Sequence, residues 1–171
     1  MTNSAAVLAA LLALPRYTFD PPESETDRAA RLGVVADAIA SASRTRTEEA
    51  SLVAIVKHES AGSMLVQLGR CAELPRGQRC DGGAARGLFQ LHRAACPAAY
   101  ALPEGSVESI RAEAQCAIRL LRWNAQRGKE HTLTPLRAAF AGYAARDWHW
   151  KGAEERERTV RAVLARMEGR P

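Results

Sequence analysis

A chain of 171 residues with 47% apolar and 25% charged residues has the composition of one globular domain, long enough to bury a sizeable core. Its formal net charge of +5, carried mostly by arginine, favours anionic partners such as nucleic acid, acidic lipid or an anionic cell-wall polymer. No Lys/Arg run exceeds two residues, so a nucleic-acid partner is not expected, and no stretch approaches the roughly 18 apolar residues of a membrane span.

Ala5 to Leu14 is an apolar run of ten residues, the length of a signal-peptide core. No basic residue precedes it and no clear A-x-A site follows, so an amphipathic first helix is the expectation, with a signal peptide as the alternative. Pro15 to Pro22 (PRYTFDPP) reads as an extended tether. Residues 1–25 are thus expected as an N-terminal helix and proline-rich tether, and 26–171 as the main domain. Thr26 is placed to cap a helix reaching about Ala42, with Leu32, Val35, Ala36 and Ile39 on its apolar face. Thr47, followed by Glu48 and Glu49, starts the next helix, which ends near Ser60 to Ser63 at Gly62.

Residues 61–84 contain Gly62, Gly69, Pro75, Gly77, Gly82 and Gly83, and have the turn chemistry for a small β-hairpin. A short segment, 85–95, comes next. Val107 to Arg127 reads as a long helix with Ile110, Ala114, Ala117, Ile118 and Leu121 inward. Thr134 and Pro135 open another, carrying Leu136, Ala139, Phe140 and Tyr143. A last helix spans about Glu154 to Met167 with Val160, Val163, Leu164 and Met167 inward. The expected class is mostly α: a helical domain with one small glycine-rich, hairpin-forming loop.

Cys71, Cys80, Cys96 and Cys116 include no CxxC pair, so they match no zinc module. All three disulfide connectivities are open, as are four free thiols. Pairing of sequence neighbours would close one short loop and tie a second segment onto a helix. Disulfides would imply work outside the cytosol. His58-Glu59 lacks the second histidine of an HExxH pair, and His92, His131 and His149 repeat no ligand spacing, so neither metal nor cofactor is expected. Asp147-Trp148-His149-Trp150 places aromatic faces where they could stack on sugars or pack in the core.

The residue that stands out is Glu59. Leu52, Ile55, Val56 and Glu59 follow the i, i+3, i+4, i+7 spacing of a core-facing stripe, with a carboxyl where a leucine would be ordinary. Burial and the negative end of the helix dipole both favour the protonated acid there, which is the form a general acid needs. An inert buried ion pair with Arg or Lys is the alternative.

Three pieces then fall in order: Glu59-Ser60 at a helix end, Gly87-Leu88-Phe89-Gln90 after the glycine-rich loop, and Ala139-Phe140-Ala141-Gly142-Tyr143 on a later helix. Over roughly residues 28–150 this resembles the lysozyme-like lytic transglycosylase family, the soluble transglycosylase and goose-type lysozyme group. That family shows Glu-Ser, then Gly-Ala-x-Gly-Leu-Met-Gln, then Ala-Tyr-Asn. Here Ala84-Ala85 replaces Gly-Ala, and Ala144 stands where the family has asparagine.

The resemblance implies cleavage of peptidoglycan strands between N-acetylmuramic acid and N-acetylglucosamine, with Glu59 as acid and then base, giving 1,6-anhydro ends. It implies that Gln90 lines the sugar cleft, that Leu88 and Phe89 form its floor, and that Gly87 lets backbone approach the sugar. Ser60 would hold the glutamate region and Tyr143 would place its hydroxyl near Glu59. A hydrolytic muramidase would need a second carboxylate, for which Asp81 is the better candidate over Glu73. A non-catalytic wall-binding component is the other class. With an extracytoplasmic place of work, the weak signal suggests delivery by another route, for which a phage lysis or virion-tail enzyme or the wall-piercing part of an injection machine would fit.

Overall fold

The computed structural model describes residues 4–76, 80–131, 133–145 and 150–169. It is mostly helical with one small antiparallel sheet. Helix α1 (Ser4–Leu12) buries Val7, Ala10 and Leu11. Its outer side carries Ala5 and Ala9 rather than polar residues, so it is apolar nearly all round instead of amphipathic.

Helix α2 (Glu25–Ala42) is capped by Ser24, two residues before the expected Thr26. Ser24, with extended backbone, accepts from the Asp27 amide at 3.0 Å, and its hydroxyl donates to the Asp27 carboxylate. Helix α3 (Arg46–Glu59) likewise starts at Thr45 rather than Thr47: Thr45 accepts from Glu48 N while Glu48 reaches back to the Arg44 amide. Residues 49–56 of α3 are all buried, so α3 passes through the core on every side rather than presenting one stripe to it.

The expected tether is pinned along its length. Arg28 donates to the Leu12 and Leu14 carbonyls, and Arg31 pairs with Glu23 while also donating to Gly62 O and Gln67. Asp20 accepts from Ser63 Oγ and from the Met64 and Leu65 amides, capping the short helix α4 (Met64–Gln67). The N-terminal helix and tether therefore share one core with the later helices.

The observed hairpin lies just past the expected stretch, 61–84, whose described residues form α4 and 3₁₀ turns at Cys71–Glu73 and Cys80–Gly83. Strands β1 (Ala85–Arg86) and β2 (Leu91–His92) pair antiparallel just beyond it, Ala85 opposite His92 and Arg86 opposite Leu91. Glycine supplies turns, but paired strands need side chains that pack, and Ala85, Arg86 and Leu91 are the buried ones here. Tyr100 fastens the hairpin from α5 (Pro97–Tyr100), donating to Leu91 O at 2.7 Å and Ala84 O at 3.1 Å.

Helix α6 (Val107–Arg127) runs over the expected range, and α7 (Pro135–Phe140) begins at the expected Thr134 cap. Tyr143 lies beyond α7, in a π turn spanning Ala141–Ala145. Helix α8 (Gly152–Met167) packs along α3 and α7. Two disulfides join Cys71 to Cys80 and Cys96 to Cys116, with Cα separations of 5.9 and 6.0 Å. No helix among the described residues is long and apolar enough to cross a membrane.

Candidate active site

Glu59 is the last residue of α3, at the point where the helix leaves the core. Ser60 closes the helix: its amide and its hydroxyl both donate to Val56 O, at 3.2 and 3.0 Å. Ala61 (φ 51°) and Gly62 (φ 68°) then adopt left-handed backbone and turn the chain sharply. Ser60 thus steadies the segment that carries Glu59, and its hydroxyl is engaged with backbone.

Two contacts from α8 hold this helix end. His58 Nε2 lies 2.9 Å from Thr159 Oγ1, and Arg156 Nη2 donates to Glu59 Oε1 at 2.6 Å. Burial, then the Arg156 and Lys57 charges, push the His58 imidazole below its usual value. The Glu59 side chain keeps 19% exposure, against 11% for Arg156. The apolar setting expected for Glu59 is therefore corrected: the carboxylate is half-buried, with a guanidinium for a neighbour. The Arg156 guanidinium in turn lies on the Trp150 ring, its Cζ 4.4 Å from the centroid. The other residues of the Asp147–Trp150 run fall outside the described residues.

Gly87-Leu88-Phe89-Gln90 forms the connection between β1 and β2, closed by Gln90 N donating to Gly87 O at 3.0 Å. Leu88 and Phe89 are buried in the hydrophobic core rather than lying at a surface. Gln90, in left-handed backbone (φ 48°), turns its amide inward: Nε2 donates to Gly87 O at 2.9 Å and sits 3.3 Å from Cys80 Sγ. Its side chain braces the turn and meets the Cys71–Cys80 disulfide loop.

Gly87 has a reason other than access for sugar. Its φ is +67°, and a Cβ built there would fall 1.9 Å from Glu113 Oε2. Glu113, on α6, packs against the bare Cα and is sealed from solvent. Ser109 Oγ donates to Glu113 Oε1 at 2.8 Å, and Arg86 Nε stands 3.5 Å from the same oxygen. Burial pushes the Glu113 carboxyl above its usual value, with Ser109 and Arg86 pulling the other way.

Tyr143 brings the third piece onto the second: its hydroxyl donates to Phe89 O at 2.6 Å. Burial above all, then the Glu59 and Glu113 carboxylates, hold that phenol well above the ordinary tyrosine range. Tyr143 is thus electrostatically adjacent to Glu59 while its proton is donated to the turn. Gly142 beside it is required by packing, since a Cβ would lie 2.4 Å from the Asn124 side chain.

Asp81 lies in the 3₁₀ turn Cys80–Gly83, and its side chain falls outside the described residues. Among the described residues no group of three or more His, Cys, Asp or Glu side chains is placed to hold a metal ion. Sequence reasoning missed Arg156, Glu113 and Arg86. Glu113 was open to the rule that found Glu59, because it shares a face with Ile110, Ala114 and Ala117. Arg156 carried no local signal. No protein-family model, curated protein or solved structure matches the chain.

Proposed function

We propose that the protein is a lysozyme-like lytic transglycosylase that cleaves peptidoglycan strands between N-acetylmuramic acid and N-acetylglucosamine. The observation that carries this reading is convergence at Tyr143. Its hydroxyl bonds to the Gly87–Gln90 turn and lies within electrostatic reach of the Glu59 carboxylate, which brings three pieces far apart in sequence within range of one another.

The chemistry needs one carboxyl group. Protonated Glu59 gives its proton to the glycosidic oxygen as the bond to the muramoyl C1 breaks. The resulting carboxylate takes the proton from the muramoyl C6 hydroxyl, and that oxygen closes on C1. No water is consumed, because the nucleophile is already part of the sugar. Glu113, the other carboxylate acting on the Tyr143 phenol, is sealed behind Gly87 and is badly placed to activate water.

Digestion of purified cell wall followed by mass spectrometry of the soluble muropeptides tests the proposal. Anhydro ends are the expected product; ends heavier by one water would make the protein a muramidase. The Glu59–Arg156 ion pair favours a second reading, a wall-binding component without turnover. Stable wall binding with no muropeptide release would establish it. The two disulfides support work in an oxidising space outside the cytosol, and delivery within a phage tail or injection machine belongs to the same proposal.

A further inference from the structure

Arg156 is an incompletely used arginine. Only 9% of the residue is exposed, and the Trp150 ring supports its guanidinium plane. That ring is itself seated on bare backbone: a Cβ on Gly152 would come within 2.2 Å of it. A guanidinium offers its Nε and one Nη as a fork that grips a carboxylate through two parallel bonds. Here the grip is half made. Nη2 donates to Glu59 Oε1 at 2.6 Å, while Nε is buried without an acceptor among the described residues.

The idle Nε is sealed while Glu59 holds Nη2, so a carboxylate that displaces Glu59 from the fork gains a second bond that Glu59 does not make. The proposed reaction supplies a reason for such an exchange. Glu59 has to carry a proton before it can give one, and a proton on Glu59 removes the charge that holds Arg156. Ion pair and loaded acid exclude each other. A carboxylate arriving with the strand would take the arginine and release the acid, so that binding energy prepares the catalytic group.

We propose that Arg156 is a specificity-determining residue that exchanges Glu59 for a carboxylate on the glycan strand. Two sources of that group exist on peptidoglycan: the lactyl carboxylate of a muramoyl unit freed of its peptide, and the carboxylates of an attached stem peptide. The inference rests on the peptidoglycan reading for the identity of the strand, and on the half-made grip for the role of Arg156.

Equilibrium binding by calorimetry separates the possibilities. Three strands are compared: glycan stripped of peptide, the same glycan with its lactyl carboxyls capped as methylamides, and glycan bearing intact stem peptides. The native protein is expected to bind at least one carboxylate-bearing strand about tenfold more tightly than the capped one. Preference for the stripped strand identifies the lactyl group, and preference confined to the peptide-bearing strand identifies the stem peptide.

Glu59→Gln weakens the internal competitor and is expected to tighten that binding several-fold, with the capped strand unaffected. A misfolded chain cannot show such a gain. Arg156→Gln should erase the preference, and Arg156→Lys, which keeps the charge without the fork, should retain only part of it. Equal binding of all three strands by the native protein overturns the inference, as does unchanged affinity in Glu59→Gln. The digestion experiment stands apart from this. A carboxylate preference without muropeptide release sinks the cleavage reading and leaves Arg156 as assigned; release without any preference does the opposite.

Discussion

Two glutamate–arginine pairs of the fold differ in their surroundings, and the contrast between them bears on the role proposed for Glu59. Glu113 with Arg86 stands behind the turn, and Glu59 with Arg156 stands at the exit of α3. Both pairs leave the arginine Nε buried without a hydrogen-bond acceptor among the described residues, and both carboxylates bear on the Tyr143 phenol. Their surroundings differ. The Glu113 side chain is 2% exposed and Arg86 spends its Nη2 on Leu102 O and Ser109 Oγ, so every contact points inward. Glu59 keeps 19% exposure and a single arginine contact. A sealed pair fixes a turn; an accessible pair can meet a reagent. Depth of burial alone would select Glu113, whereas the proposed chemistry needs the accessible Glu59.

The sharpest way to break this contrast is to neutralise each acid in turn. Glu59→Gln is expected to lower strand cleavage by about 10²–10⁴-fold, the usual loss when a general acid is removed. Its melting temperature should stay close to that of the parent, because the group is partly solvated. Glu113→Gln should change stability instead, with the folded fraction still cleaving. Turnover measured beside a thermal melt for both variants decides the matter, and the opposite pattern would exchange the two roles.

Gly87→Ala should produce the next largest effect. The new methyl group meets Glu113 Oε2 at 1.9 Å on a backbone with φ +67°. A loss of about 3 kcal/mol in urea denaturation is expected, clash and left-handed strain combined. Most of the clash should vanish when Glu113 is also cut to Ala, so the two losses should fall short of additivity by about 1–2 kcal/mol. Simple addition would mean that Glu113 does not hold the turn.

The pairs should also part company in pH. Folding raises the Glu113 carboxyl above its ordinary 4.5, chiefly through burial, so the folded state binds a proton that the unfolded state has released. Its contribution to stability is fully present below pH 4.5 and is lost as pH rises through the folded value. Glu113→Gln cannot titrate. Its stability relative to the parent should therefore climb with pH across that window and then level off. Denaturation midpoints at a series of pH values read this directly, and a flat difference would show that the sealed site tolerates the charge.

What the sequence made legible was local. Val107–Arg127 was readable because its inward face repeats cleanly, and Thr134-Pro135 because a cap and a helix-start proline adjoin. The caps at Ser24 and Thr45 were each placed two residues late. Their partners, Asp27 and Glu48, sit three residues on, and that reciprocal signature outweighs a nearby threonine. The hairpin was placed too early because glycine marks where a chain turns, not where strands pair. Within the site, the carboxyl on an apolar stripe was visible but its counter-ion was not. Arg156 lies 97 residues from Glu59, one among 24 Lys and Arg residues, and only tertiary packing selects it. Gln90 had the right position in the motif, yet its amide faces the turn and Cys80.

Tyr143 joins the two pairs, and its substitution should have the smallest effect. Burial and two carboxylates keep its phenol protonated far above neutral pH, so it serves as a donor and is poorly suited to act as a base. The proton it donates goes to Phe89 O. Tyr143→Phe leaves that carbonyl to find another donor while keeping the ring, which should lower stability by about 0.5–1.5 kcal/mol. Cleavage should fall only a few-fold, through loosening of the Gly87–Gln90 turn, and the pH dependence of turnover should keep its shape. A loss as deep as that of Glu59→Gln, with an altered pH profile, would mean that the hydroxyl leaves Phe89 and acts on the sugar. The boundary between scaffold and chemistry would then run through Tyr143 rather than between the two glutamates.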